Sequence, residues 1–105
     1  MTTPRIKTAS ESLKERLRDP AFRQEWERTA LARAVALRLA EYRSDNALSQ
    51  SALARKLEMQ QPAIARLEAG DHNPSVDTLM RLSRGLGLDF HIDITPKHVG
   101  VRLTA

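Results

Sequence analysis

Apolar residues recur at helical spacing as far as about residue 88 and alternate with polar ones after it. That change of period divides a helical body from an extended tail. The first nine residues are polar, include Pro4 and follow neither period, which predicts a mobile start. Ser10 is placed to cap a short helix to Arg18, with Leu13 and Leu17 four apart. Asp19-Pro20 then reads as the N-cap and first position of another helix. This helix runs without glycine or further proline from Pro20 to about Arg43, with Phe22, Trp26, Leu31, Val35, Leu39 and Tyr42 along one stripe. At about six turns it is longer than a small core needs. Its front half, with Phe22 and Trp26, is left to pack on the last helix, a partner or a second copy.

Three shorter helices follow. Ser49 caps one through about Leu57, with Leu53, Ala54 and Leu57 inward. Pro62 opens the next to Glu68, with Ile64 and Leu67 inward. Ser75 caps the last, which carries Val76, Leu79, Leu82 and Leu86 and is closed by Gly87 as a left-handed C-cap. In the tail, Phe90, Ile92 and Ile94 alternate with polar residues, and Val99, Val101 and Leu103 do so again after Pro96. One strand is expected and a second is open. A lone strand has no sheet to join, so the pattern predicts a two-fold homodimer pairing through residues 89–95, by Phe90, Ile92 and Ile94. The domain reading is 1–30 for an N-terminal extension, 31–88 for the body and 89–105 for the tail.

The chain has 105 residues, enough for one modest core. Its net charge of +4 suits a polyanion partner without requiring one. Cysteine is absent, which removes disulfides, thiolate metal sites and thiol nucleophiles. No apolar run approaches the roughly 20 residues that span a bilayer, so a cytoplasmic protein away from membranes is expected. The three histidines lie apart, no serine has a plausible base, and no glycine-rich phosphate loop is visible. These absences point away from catalysis, metals and cofactors.

The informative stretch is 48–70. Small and apolar residues at Ala54, Leu57, Ile64 and Leu67 suit two short helices packed at a steep angle, with Ala54 allowing close approach. The second of the pair then leaves Gln61, Pro62, Ala63 and Arg66 outward, where its first turn reaches base edges in the major groove of duplex DNA. Glutamine matches the N6/N7 edge of adenine, arginine O6/N7 of guanine, and alanine the thymine methyl. Gln50 is placed to donate to a phosphate from a helix start, with Ser49, Ser51, Gln60 and His72 as further phosphate candidates.

The run Leu48-Ser49-Gln50, Leu53-Ala54, Leu57, Gln61-Pro62-Ala63-Ile64, Arg66-Leu67-Glu68 and Gly70 resembles the signature of the Xre/Cro helix-turn-helix family. Pro74-Ser75, Thr78-Leu79 and Leu86-Gly87-Leu88 resemble its last helices. The resemblance covers about residues 36 to 88. It implies an all-α, five-helix lambda-repressor-like domain, here with an N-terminal helical extension and a short C-terminal β-strand. It also implies an ion pair between Arg43 and Glu68. Two positions depart from the pattern. Glu58 stands where a glycine usually makes the turn, which strains the backbone if φ is positive. Gln60 stands where a serine or threonine usually caps.

Asp19-Pro20-Ala-Phe22-Arg-Gln-Glu-Trp26-Glu resembles the stretch before the DNA-binding domain of HigA-type antitoxins, and the strand from Phe90 to Pro96 resembles tails of that group and of HipB-like repressors. Antitoxins of this type neutralise a RelE-like ribonuclease toxin and repress their shared operon. The resemblance implies toxin contacts from Leu13, Leu17, Phe22 and Trp26. The acidic character usual for such an arm is absent, which leaves apolar contact as the binding force. The expectation is therefore a homodimeric repressor of a palindromic operator that also binds a small ribonuclease toxin. A stand-alone repressor, or an interaction module that no longer reads DNA, are the alternatives.

Overall fold

The computed structural model describes residues 6–105; of the nine residues expected to be mobile, 1–5 lie outside the described residues, whereas Thr8 and Ala9 cap and begin the first helix. Six helices and a hairpin follow in order: α1 (Ala9–Arg16), α2 (Pro20–Arg28), α3 (Ala30–Asp45), α4 (Gln50–Lys56), α5 (Gln61–Ala69), α6 (Val76–Leu86), β1 (Asp89–Thr95) and β2 (His98–Thr104). The all-α, five-helix expectation thus becomes six helices among the described residues and a two-stranded sheet.

Thr8, not Ser10, caps α1. Its hydroxyl accepts from the Glu11 N–H at 3.1 Å, while the Glu11 carboxylate accepts from the Thr8 N–H at 3.4 Å. This reciprocal box satisfies two N–H groups where Ser10 would satisfy one. Asp19 caps α2 as its sequence suggests, accepting from the Ala21 N–H at 3.0 Å.

The long helix expected from Pro20 to Arg43 is interrupted at Thr29, whose φ and ψ are −100° and 16°. Its buried hydroxyl turns back to the carbonyl of Glu25 at 3.1 Å. The cause of the break comes from far along the chain. Asn73 accepts from the Ala32 N–H at 3.1 Å and donates to the Arg28 carbonyl at 2.8 Å. Those two groups are the i→i−4 pair that a continuous helix would join directly. The Asn73 amide is inserted into that bond, a recognised cause of kinks.

Val35 and Leu39 of α3, Leu53 and Ala54 of α4, Leu57, Ile64 of α5, and Leu79 and Leu82 of α6 form one buried cluster. Each fully buried leucine or isoleucine contributes about 1.5–3 kcal/mol. Leu67 and Leu86 are half-buried at its edge. Val76, at the start of α6, is 72% exposed. It lies about 90° around the helix from the centre of the stripe of Leu79, Leu82 and Leu86, beyond the rim of the core.

In the tail, β1 pairs antiparallel with β2 from Asp89 opposite Thr104 to Thr95 opposite His98, across the turn at Pro96-Lys97. The Thr95 hydroxyl oxygen accepts from the His98 N–H at 3.0 Å. The strand therefore has its partner in its own chain, and the premise for pairing copies through Phe90, Ile92 and Ile94 falls away. Phe90 and Ile92 are half-buried against the core cluster, while Ile94 is 77% exposed. A hairpin alone is marginal; here β2 lies against α2 and α3, and β1 against α6.

The radius of gyration is 16.5 Å, against roughly 13 Å for a compact chain of this length. The excess fits α1 and α2, neither of which has a fully buried residue. They form an arm on the body.

Candidate nucleic-acid interface

Two helices and the turn between them set the site. The Ser49 hydroxyl accepts from the Ala52 N–H at 3.0 Å and starts α4. Leu53, Ala54 and Leu57 are buried against Ile64, which holds α5 on α4. Between them Glu58 sits at φ 55°, in the left-handed region. The turn closes through the Met59 N–H, which donates to the Ala54 carbonyl at 2.8 Å. Arg81 of α6 donates to the Glu58 carbonyl at 2.8 Å. Gln60 is the N-cap of α5 but makes no side-chain capping bond. Gly70 ends the helix at φ 70°, where a Cβ would come within 3.1 Å of Ala36 Cβ; the helix end rests on α3.

A chain of hydrogen bonds runs across this site. Arg43 grips Glu68 with two nitrogens, Nε to Oε1 at 2.5 Å and Nη2 to Oε2 at 3.0 Å. Its third nitrogen donates to the Leu48 carbonyl at 3.1 Å. Gln50 Nε2 donates to Glu68 Oε2 at 2.7 Å, and Gln61 Nε2 donates to Gln50 Oε1 at 3.0 Å. The Glu68 side chain is only 10% exposed. Burial pushes its carboxyl pKa up, but hydrogen bonds from Arg43 and Gln50, with the guanidinium charge, outweigh that and hold it below the usual carboxylate range. Its partner Arg43 is shifted up by the hydrogen bond to Glu68.

The tether leaves Gln61 with one N–H and its Oε1 for other partners, and the residue is exposed. One donor beside one acceptor is the pair that adenine's N7 and N6 edge requires. Pro62 and Arg66 are exposed on the same helix, with Ala63 half-buried. Among the described residues Arg66 has neither an ion pair nor a hydrogen bond from its side chain. Ala63, Arg66, His72 and Thr78 line one groove of about 350 Å³, so the loop histidine lies beside the outward face of α5. Asp71 holds the His72 ring at 3.0 Å, and that bond lowers the Asp71 carboxyl pKa. Ser51 and Gln60 are exposed beside the two helix starts.

A family model described as helix-turn-helix matches residues 39–92, more than half of the chain. The chain belongs to this Xre/lambda-repressor-like helix-turn-helix family. It is a DNA-binding transcription regulator, and the helix-turn-helix family is generally non-enzymatic. No curated protein and no solved structure matches the chain significantly. Among the described residues no helix is long and apolar enough to cross a membrane.

The match begins within α3 and ends within β1, leaving α1 and α2 of this helix-turn-helix protein outside. On that arm the Phe22 and Trp26 rings stack at 6.1 Å. The Arg16 guanidinium lies 4.2 Å from the Phe22 ring centre, and that of Arg33 3.4 Å from the Trp26 ring centre. Helix α2 rests on α3 and β2, not on the last helix as one expectation had it. Leu13, Leu17, Phe22 and Trp26 are all half-buried.

Sequence reasoning missed two elements of the site. One is Asn73, which had no part in the sequence-based expectations. The other is the bond from Gln50 to Glu68, which ties the Gln61 amide to the ion pair. Its one signal was a glutamine at the first position of both α4 and α5.

Proposed function

We propose that this regulator is a homodimeric repressor of a palindromic operator, and that its α1–α2 arm docks a small RelE-like ribonuclease toxin in the manner of a HigA-type antitoxin. The observation that carries the DNA reading is the tethered Gln61 amide beside the unpartnered Arg66 on the exposed face of α5. Gln61 and Arg66 read adenine and guanine edges, and Pro62 and Ala63 touch thymine methyls. Ser49, Ser51, Gln60 and His72 contact phosphates and set the register, while the Gln50 amide, expected to donate to a phosphate, is instead turned to Glu68 and Gln61 and holds Gln61 from behind. Two copies of α5 meet half-sites about one helical turn apart, roughly 34 Å.

The toxin reading is supported by an arm with four half-buried apolar side chains and none fully buried. A stand-alone repressor is favoured by one observation: Arg16 and Arg33 of the same chain already lie against the two rings.

The DNA reading is tested by selecting a duplex from random sequence and then measuring Arg66→Ala on it and on unrelated DNA. The variant loses about 1–3 kcal/mol on the selected site and little on random DNA. Affinity falls with salt with a log–log slope of about −0.9 per phosphate neutralised. Equal loss on both DNAs would remove Arg66 from base reading. A wild-type chain that selects no sequence at low salt would remove the repressor function altogether.

A further inference from the structure

We infer that the outward face of α6 is the surface through which two copies of this chain associate, crossing antiparallel about a two-fold axis near Met80. Val76 and Met80 are 72% and 45% exposed, two large apolar side chains one turn apart on the flank of a helix that turns its Leu79 and Leu82 side to the core. Met80 and Arg84 stand as a ridge between two grooves. One, of about 270 Å³, has Val76, Leu79 and Phe90 in its walls; the other, of about 480 Å³, has Lys56, Asp77 and Arg81. A ridge flanked by grooves is the shape that a second helix fills.

Charge selects the occupant. Asp77 and Arg84 are seven residues apart and so lie within about 20° on the same face. Both are exposed, and among the described residues neither side chain has an ion pair or hydrogen bond. An antiparallel two-fold crossing that sets Met80 beside Arg81 of the other copy sets Asp77 opposite Arg84 of that copy. Symmetry then makes the same pair a second time. The acidic start and basic end of this face therefore complement themselves. Thr78, which lines the groove shared with Ala63 and Arg66, points about 180° away from Val76 and Met80. Association through this face leaves α5 uncovered. Such a pair serves the two-half-site reading above, on which its purpose rests, but the association itself is measured without DNA.

Sedimentation of the full chain tests it. The wild type is dimeric. Asp77→Arg places two arginines opposite each other and Arg84→Asp two aspartates, and each weakens self-association by about tenfold or more. Mixed in equal amounts, the two variants form a one-to-one heterodimer, because every arginine then meets an aspartate. Met80→Glu gives monomers that do not recover on mixing. Circular dichroism and melting confirm that each variant is folded, as expected for exposed side chains without partners. A monomeric wild type overturns the inference, as do single variants that dimerise like the wild type or a mixture that stays monomeric. Persistence of the dimer in all three variants would instead put the interface elsewhere, such as the open edge of β1. Dimers that select no DNA sequence would count against the repressor reading and not against this surface.

Discussion

Replacing Glu58 by glycine should stabilise this protein, against the usual outcome of introducing a glycine. Glu58 holds φ at 55° between the two helices of the motif. For a side chain with a Cβ, that conformation costs roughly 1–2 kcal/mol through contact with the following carbonyl. Glycine removes this cost but adds freedom to the unfolded chain, which opposes folding by about 0.5–1 kcal/mol. The midpoints of these ranges differ by about 0.75 kcal/mol in favour of glycine. Nothing else of consequence is lost: Glu58 is exposed, and Arg81 bonds to its backbone carbonyl, which glycine retains. For a domain of this length the gain corresponds to a rise of about 3–6 °C in Tm. Thermal unfolding of Glu58→Gly beside Glu58→Ala measures it. Alanine keeps the Cβ, so its Tm should stay near that of the wild type. A Glu58→Ala variant that gains as much as Glu58→Gly would locate the effect in the glutamate's charge or entropy, and the strain argument would be wrong.

Acid should destabilise the motif through Glu68. Its carboxyl pKa lies below the usual value when folded, so the stabilisation is complete above the unfolded value of about 4.3 and is lost as pH falls through the folded one. Melting curves of wild type and Glu68→Gln across that window should differ in their acid slope; identical slopes would exclude Glu68 as its source. On the arm, Phe22→Ala with Trp26→Ala should release a toxin that co-purifies with the wild type when the neighbouring reading frame is co-expressed, while DNA binding persists. A toxin still retained by the double variant would place the dock elsewhere, and a neighbour encoding no ribonuclease would leave the stand-alone repressor.

The motif was legible because each of its parts is local. Ser49 and Ser75 cap at short range, Pro62 sits in a first turn, and the apolar spacing of Leu53, Ala54, Leu57 and Ile64 follows one helix face at a time. Both departures were legible too: Glu58 does adopt positive φ, and Gln60 makes no side-chain cap bond. The misses are of another kind. Nothing near Thr29 requires a break, since glutamate and arginine before it and alanine and leucine after it favour helix. The break depends on Asn73, more than forty residues away, reaching the bond between Ala32 and Arg28. The hairpin was half seen, because alternation marks each strand but does not say whether the second returns to the first or leaves it for another chain.

The bond from Gln50 to Glu68 gives the ion pair a purpose beyond stability. Enclosing the Glu68 carboxylate costs hydration, and replacing such a pair by well-packed apolar side chains is often neutral or stabilising. Apolar side chains there would offer Gln50 no acceptor. With the carboxylate present, Gln50 must turn its nitrogen inward and its oxygen toward Gln61. Gln61 then donates to that oxygen, which fixes the order of donor and acceptor it presents outward, the order that the proposed adenine contact would use. An amide free to flip would match adenine in only one of two orientations and would lose conformational freedom on binding. The charge on Glu68 is thus spent on the polarity of a side chain two hydrogen bonds away, and α3, which carries Arg43 and takes the end of α5 against Ala36, is the base from which that polarity is set.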